Sequence, residues 1–154
     1  MIAVLQRVNK AAVSVDGSVV GECGKGLYVL LGVSKEDTEK DAEVLAEKVI
    51  NLRIFTDENG KMNYSLLNID GEMLVVSNFT LLASYRKGKR PDYMAAASPY
   101  EADRLYKYFT ELCKKSVKRV ETGVFGAHMI TDMQTDGPVT IAMDSKVLLK
   151  AKND

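Results

Sequence analysis

Histidine is nearly absent from this chain of 154 residues, which contains a single one, His128. One histidine rules out a metal site built on two, and Cys23 and Cys113 are too far apart to form a Cys-x-x-Cys pair. A serine–histidine–aspartate relay would have to use His128, which lies in a strand-like run where a lone histidine is more often a surface or packing residue. We therefore expect neither a metal nor a cofactor.

The sequence also lacks net charge and long apolar segments. The formal net charge is +0 at pH 7, so any contact with a nucleic acid has to come from a local patch. No apolar run approaches the roughly 20 residues of a membrane span, and the first seven residues lack the basic and apolar regions of a signal peptide. These absences predict a cytoplasmic protein with free thiols and with neither a membrane nor DNA as partner.

What is present favours one globular domain. Hydrophobic residues make up 46% of the chain and charged residues 27%, which are ordinary values for a folded protein. A domain of this size buries about 70% of its unfolded surface and needs no cross-links. We place the domain at residues 1–150, and we expect the chain from Lys146 to be poorly ordered and residues 151–154 to fray.

The first third of the chain has the pattern of β-strands. Alternating apolar residues flank Asp16-Gly17, a pair that is typical of a type I′ hairpin turn because both positions need positive φ. The unbroken apolar run at 27–33 predicts a strand buried on both faces. Gln6 and Arg7 interrupt the first strand. Arg7 is either an edge residue with its head in water or a buried cation that holds backbone carbonyls or a partner chain.

Two amphipathic helices are predicted. Thr38 and Asp41 have the spacing of a capping box, and apolar residues then recur at 42, 45, 46 and 49 on one face. Ser98, Pro99 and Glu101 begin a second helix whose apolar face runs from residue 102 to residue 113. Their amphipathic pattern predicts that both helices pack against a sheet. Neither contains residues that indicate a catalytic or binding site.

Polar residues follow a buried strand predicted at 71–76. Ser77, Asn78, Phe79 and Thr80 come directly after it, and hydroxyl, amide and aromatic groups at a strand end are typical of a pocket floor. The alternative is a turn whose hydroxyls bond to nearby backbone.

A basic loop comes next and is the one concentrated patch of charge. Arg86, Lys87, Lys89 and Arg90 place four cations in five positions beside Tyr85. Such residues neutralise phosphates, and a tyrosine can stack on a base. A solvated loop is the alternative, but the neutral background favours contact with a phosphate backbone.

The Gly137-Pro138 pair opens a late strand predicted at 139–143. Proline belongs at the first residue of a strand because it lacks a backbone donor, and glycine allows unusual geometry before it. The pair is therefore either a simple turn or a rigid piece of backbone directed at something outside the strand.

These segments occur in the same order in the D-aminoacyl-tRNA deacylases, a family that the sequence resembles along nearly its whole length. Residues 77–81 nearly match a Ser-Gln-Phe-Thr-Leu signature, and residues 135–140 nearly match Asn-x-Gly-Pro-Val-Thr. Asn78 is one methylene shorter than the glutamine of the first signature. Thr135 lacks the amide of the asparagine in the second. Both departures bear on contacts around the pocket.

The resemblance implies an α/β (α+β) fold with a barrel-like, mostly antiparallel β core, two main flanking helices and a homodimer. It also implies hydrolysis of the ester that joins a D-amino acid to the terminal adenosine of tRNA, and of glycine mischarged on tRNA-Ala. Gly137-Pro138 matches a cis pair that enters the partner's active site and excludes L-amino acids.

The resemblance also assigns the site, position by position. Thr80 and Phe79 are expected to act mainly through main-chain donors, while the 2′-hydroxyl of the tRNA assists attack by water. Phe125 matches a position beside the adenosine, and Arg7 resembles a residue that holds the Gly-Pro loop. Substrate contacts are expected from Ser77, Asn78, Phe125, Gly137, Pro138, Arg7 and Gln6. The charge of the basic loop independently predicts tRNA contacts from Arg86, Lys87, Lys89 and Arg90.

Two other functions remain open from the sequence. One is a dimeric tRNA-binding protein without turnover, if the departures at Asn78 and Thr135 abolish the chemistry. The other is a hydrolase of small esters that uses Thr80 or Ser77, although a bare threonine hydroxyl is a poor nucleophile without an adjacent base.

Overall fold

A computed structural model describes residues 1–151, with side chains to Lys150, and residues 152–154 of the predicted frayed tail lie outside the described residues. Within this range the chain forms eight strands, three α-helices and one 3₁₀ turn. In chain order they are β1 Ile2–Val15, β2 Ser18–Cys23, β3 Gly26–Gly32, α1 Glu39–Asn51, β4 Phe55–Thr56, β5 Met62–Tyr64, β6 Glu72–Ser77, the 3₁₀ turn Phe79–Leu82, α2 Pro99–Lys114, β7 Val120–Thr122, β8 Ile130–Asp144 and α3 Ser145–Ala151.

Strand β1 is the centre of the sheet. It pairs antiparallel with β2, with β3 and, over most of its length, with β8. Asp16 and Gly17 both have positive φ, 49° and 82°, so the predicted type I′ turn between β1 and β2 is confirmed. Gln6 and Arg7 do not interrupt β1, which continues through them as one strand of 14 residues.

The other half of the sheet is parallel. Strand β6 pairs with β3 on one side and with β7 on the other, both in parallel register. The edge strands β2 and β7 then approach each other, and the Glu22 N–H donates to the Glu121 carboxylate at 3.1 Å. A Cβ at Gly21 would lie 2.2 Å from the Thr122 carbonyl oxygen, so this approach needs glycine. The predicted barrel-like β core is confirmed, with antiparallel pairs around β1 and parallel pairs around β6.

The two predicted helices cover one face of the sheet. In α1, the Thr38 N–H donates to the Asp41 carboxylate at 2.9 Å, and in α2 the Ser98 hydroxyl accepts from the Glu101 N–H at 3.4 Å. Both helices therefore begin where their capping residues predict. Their apolar faces and the inner face of the sheet form the main core, whose largest fully buried side chains include Phe55, Leu45, Leu105 and Phe109.

The prediction of poor order from Lys146 onward is wrong, because Ser145–Ala151 forms α3. The helix begins at a buried polar cluster around the first residue. The Met1 ammonium lies 2.6 Å from Asp37 Oδ1 and donates to the Ser145 hydroxyl at 2.7 Å, and this hydroxyl donates to Asp41 at 2.7 Å. These polar contacts join residues far apart in sequence and hold the beginning of α3 in place. No local sequence pattern predicts them.

No helix within residues 1–151 combines the length and apolar character needed to cross a membrane.

Candidate active site

One large cavity opens where the ends of β3 and β6 meet the beginning of α2. Its volume is about 780 Å³, which is in the range of small-molecule sites. The 3₁₀ turn forms one wall, and segments from α2 and from the link between β7 and β8 form the other. The lining residues are Tyr28, Leu30, Leu31, Val33, Val76, Ser77, Asn78, Phe79, Thr80, Tyr93, Ala96, Ala97, Pro99, Ala102, Tyr106, Phe125, Gly126, Ala127, His128, Met129 and Thr131.

The predicted pocket floor lies in this cavity. Strand β6 ends at Ser77, and the Asn78 N–H donates to the Leu31 carbonyl at 2.8 Å before the chain turns into the 3₁₀ segment. Gly32 lies directly against this turn, because a Cβ there would be 3.0 Å from the Asn78 carbonyl oxygen. Parallel strands end at the same edge of a sheet, so residues after β3 and β6 meet here.

Asn78 caps the 3₁₀ turn. Its carboxamide oxygen accepts a hydrogen bond from the Thr80 N–H at 3.2 Å and a second one from the Thr80 hydroxyl. The Thr80 hydroxyl therefore donates to an amide oxygen, which is too weak a base to activate it. A substrate carbonyl that binds to the Thr80 N–H has to replace the Asn78 oxygen.

Two buried tyrosines, Tyr28 and Tyr106, also line the cavity. In the sequence they are members of apolar runs, which do not indicate a role in a site. The Tyr28 hydroxyl lies 3.1 Å from the Thr131 hydroxyl, and Tyr106 donates to the Val75 carbonyl at 2.9 Å. Burial raises the pKa of Tyr106 to about 12, and burial also raises the pKa of Tyr28, which the hydrogen bond with Thr131 lowers only partly. Both hydroxyls are therefore protonated at neutral pH and cannot act as bases.

The wall contains almost no ionisable chemistry. Among the described residues that line the cavity there is no carboxylate, lysine, arginine or cysteine, and His128 is its one imidazole. His128 is exposed, in agreement with its interpretation as a surface residue. The site can therefore bind, orient and donate hydrogen bonds, and apart from the exposed His128 a general base has to come from the substrate or from water.

Phe125 joins the predicted floor residues at the cavity. Its ring packs on Tyr106 with the ring centroids 6.1 Å apart, so α2 fixes its position. Phe79 and Tyr93 form a second aromatic contact across the cavity, edge to face at 4.9 Å. Ser77, Asn78, Phe79, Thr80 and Phe125 are thus brought together as predicted, and Tyr93 was not foreseen because it lies in a loop without periodicity.

Gly137-Pro138 does not line this cavity. The prediction that the pair opens a late strand is wrong, because β8 begins at Ile130 and continues through the pair. The peptide bond is cis as the resemblance predicts, and both residues are exposed. Gln6, on the neighbouring β1, pairs with Thr140 of β8 and is likewise outside the cavity lining.

Arg7 holds the backbone of β8 in place directly before this pair. Its Nε donates to the Asp136 carbonyl at 3.0 Å and lies 3.2 Å from the Asp136 carboxylate. Its Nη1 donates to the Ile54 carbonyl at 2.8 Å and to the Thr56 hydroxyl at 3.4 Å. Arg7 is only 8% exposed, so the alternative of a buried cation that holds carbonyls is the correct one.

The comparison with protein families matches residues 4–144 to the model of the D-Tyr-tRNA(Tyr) deacylases. The chain belongs to this family. Membership places it among hydrolytic enzymes and agrees with the resemblance that the two signatures carry.

Individual relatives extend over nearly the whole chain. A D-aminoacyl-tRNA deacylase of Caldicellulosiruptor saccharolyticus is 58% identical over 146 residues, which cover 95% of this chain and 98% of the relative. The protein of the same name from Thermosipho melanesiensis is 55% identical over 147 residues, with the same coverage of 95% and 98%.

Solved structures share the fold. A c-Myc DNA unwinding element binding protein superposes with a TM-score of 0.88 at 41% identity, covering 94% of this chain and 98% of its own. Its name refers to DNA binding, whereas the present sequence predicts no DNA partner. A probable eukaryotic D-amino acid tRNA deacylase superposes with a TM-score of 0.82 at 17% identity, covering 93% and 98%, and supports the fold alone.

Proposed function

We propose that this protein is a homodimeric deacylase that hydrolyses the ester between a D-amino acid and the terminal adenosine of tRNA. The observation that carries the proposal is a cavity whose wall is rich in hydrogen-bonding and aromatic groups and has no base other than the exposed His128. An aminoacyl ester is already activated, so orientation and stabilisation of the oxyanion are sufficient help. The 2′-hydroxyl of the terminal ribose assists the attacking water, since the floor residues Ser77 to Thr80 supply no base.

The names of the relatives support the same substrate class, and the geometry of the 3₁₀ turn argues against a threonine nucleophile. Thr80 has no histidine, lysine or carboxylate as a partner, because its hydroxyl is bonded to Asn78. Thr80 and Phe79 therefore contribute through main-chain N–H groups, and the ester carbonyl replaces the Asn78 oxygen at the Thr80 N–H. The neighbouring floor residue Ser77 and the Phe125 ring hold the adenosine and the aminoacyl group.

Rejection of L-amino acids is assigned to Gly137-Pro138 of the other subunit. The pair is exposed and absent from the lining of its own cavity, so a second copy is the natural recipient. A rigid backbone placed against the α-carbon excludes an L side chain by steric contact. Glycine has no side chain to exclude, so glycyl-tRNA is also accepted, including glycine mischarged on tRNA-Ala. Charged tRNA is found in the cytoplasm, which is where we expect the enzyme to act.

The test is the release of tyrosine from tRNA charged with either D-Tyr or L-Tyr. Rapid release of D-Tyr together with stable L-Tyr-tRNA is the expected result. Binding of both substrates without release of either would instead identify a non-catalytic tRNA-binding protein. Hydrolysis of a small ester at the rate of the tRNA substrate would identify a general esterase.

A further inference from the structure

The basic loop, defined here as residues 84–92, carries four cations without an ionic partner. Arg86, Lys87, Lys89 and Arg90 are all exposed, and none forms an ion pair within residues 1–151. Some cations elsewhere on the surface are paired, such as Arg104 and Arg119 with glutamates, whereas the basic loop concentrates four unpaired cations in five positions. The charge of the basic loop is therefore available to an external anion.

The loop is held at its base. Ser84 and Asp92 exchange two main-chain hydrogen bonds of 2.8 and 2.9 Å, which close the segment between them. Gly88 has a φ of 69° in open space and allows the chain to reverse direction. Asp92 is the loop's single acid, and its carboxylate accepts from the Met94 N–H at 3.2 Å. The four cations and Tyr85, which is 84% exposed, thus extend from a fixed stem.

The stem adjoins the mouth of the cavity. Thr80 precedes it by a few residues and Tyr93 follows it directly, and both line the cavity. The edge-to-face contact between Phe79 and Tyr93 forms the rim at this point, and Phe79 is 57% exposed. A polymer whose end lies in the cavity therefore meets these rings first and the basic loop next.

The combination of residues selects one kind of polymer. Lysine and arginine neutralise phosphates of either single or double strands, but an exposed aromatic ring binds a base only when the base is unstacked. Phe79 and Tyr93 present such rings at the cavity, and Tyr85 presents one in the basic loop. An acidic peptide would need the cations but would leave these rings without a matching partner.

We propose that the basic loop binds the single-stranded 3′ extension of an RNA, contacting the phosphates of the nucleotides that precede the terminal one, with Tyr85 stacked on a base. The inference rests on the proposed function in one respect, because that function places the terminal nucleotide in the cavity. It adds the stretch of the substrate that the enzyme holds outside the cavity.

The experiment measures binding of uncharged RNA hairpins by fluorescence anisotropy over a range of salt. One hairpin ends in a short single-stranded 3′ extension, and its partner has the same stem with a blunt end. The test variant combines Arg86→Ala, Lys87→Ala, Lys89→Ala and Arg90→Ala. The control removes the same charge from exposed lysines elsewhere, with Lys35→Ala, Lys40→Ala, Lys48→Ala and Lys61→Ala.

The wild-type protein and the control variant are expected to bind the extended hairpin at least ten times more tightly than the blunt one. The loop variant is expected to lose this preference. Its salt dependence should fall by about 3 in the slope of log K against log salt, since each phosphate contact on a single strand contributes about 0.7. Tyr85→Ala is expected to weaken binding of the extended hairpin several-fold, and Tyr85→Phe to restore it.

Equal binding of the two hairpins by the wild type would overturn the inference in favour of contact with the duplex. An equal loss in the control variant would overturn it in favour of general attraction. With D-Tyr-tRNA as substrate, the loop variant should show a raised KM and an unchanged kcat, and an unchanged KM would also refute it. Loop-dependent binding of the extension by a protein that releases no D-Tyr would leave the inference standing and refute the proposed deacylase function.

Discussion

The carboxamide oxygen of Asn78 accepts hydrogen bonds from both the N–H and the hydroxyl of Thr80. One short side chain thereby occupies the two groups of Thr80 that a mechanism would otherwise use. Asparagine makes these two hydrogen bonds at a position where the family signature has glutamine. Its single methylene keeps the amide oxygen close to the turn that it caps.

Removal of the Thr80 hydroxyl is expected to have a small effect on catalysis. Thr80→Ala loses one hydrogen bond between neutral groups, worth about 1 kcal/mol, so kcat/KM on D-Tyr-tRNA should fall by about ten-fold or less. Single-turnover deacylation measures this directly. A fall of several orders of magnitude with tRNA binding intact would show that the hydroxyl takes part in the chemistry.

Two substitutions serve as controls for this prediction. Thr80→Ser keeps the hydroxyl and should behave as the wild type. Asn78→Gln keeps the carboxamide and restores the signature residue, so it should remain active as well.

Chirality rejection should be supplied by the neighbouring subunit, which mixed dimers can reveal. One chain carries Pro138→Ala and an intact cavity, and the other has an intact Gly137-Pro138 and a cavity filled by Ala96→Trp. In the mixed dimer the working cavity receives the unaltered pair, so L-Tyr-tRNA should remain stable. The Pro138→Ala homodimer should release L-Tyr.

The Ala96→Trp homodimer, inactive on both substrates, is the control for this measurement. Release of L-Tyr by the mixed dimer at about half the rate of the Pro138→Ala homodimer would contradict the prediction. Each cavity would then be served by the Gly-Pro pair of its own chain.

The buried ammonium of Met1 should make Asp37 important for stability. The ammonium and the Asp37 side chain have no exposed surface, and Asp37 Oδ1 lies 2.6 Å from the nitrogen. Asp37→Asn removes the carboxylate in direct contact with the buried cation, and loss of one partner of a buried pair costs about 3–5 kcal/mol. Urea unfolding at one protein concentration measures the loss.

Glu36→Gln is the matched control for Asp37→Asn. It removes a neighbouring carboxylate that pairs with Lys146 at 2.8 Å on the surface, and solvent screens such a pair. An equal effect of the two substitutions would show that burial of the ammonium is not the cause.

Stability should decline in acid partly through Asp41. Burial by itself raises the pKa of this carboxyl, but hydrogen bonds from Ser145 and Thr38 together with the Met1 ammonium lower it below its ordinary value of 3.8. A lowered pKa in the folded state stabilises the protein above pH 3.8, and this contribution disappears as the pH falls through the folded pKa.

The free energy of unfolding of Asp41→Asn should therefore depend less on pH between neutrality and pH 3 than that of the wild type. Asp132→Asn, at an exposed carboxylate, provides the reference for a general loss of negative charge. Parallel curves for the wild type and Asp41→Asn would contradict the assignment.

Local patterns were sufficient for much of the fold. The Asp16-Gly17 turn, the caps at Thr38 and Ser98 and the apolar faces of α1 and α2 depend on neighbours within a few residues, and all were predicted. The floor of the site was also predictable, because Ser77 to Thr80 are polar residues at the end of an apolar strand.

The remaining features depend on partners distant in sequence. Arg7 is compatible with an unbroken β1 because Ile54 and Asp136 accept its hydrogen bonds. Helix α3 begins at Ser145, which is bonded to Met1 and Asp41. Tyr28 and Tyr106 lie in apolar runs whose spacing predicts burial but says nothing about which cavity they line.

The hydrogen bonds of Arg7 connect two segments of the chain that lie far apart in sequence. One guanidinium donates hydrogen bonds both to residues at the small β4–β5 hairpin and to Asp136 in β8. Neither segment can therefore shift without moving the other. A substitution near Ile54 or Thr56 therefore also changes the contacts that support Gly137-Pro138 through Arg7. Under the proposed function, the selection between D- and L-amino acids then depends in part on a hairpin that is absent from the lining of the cavity.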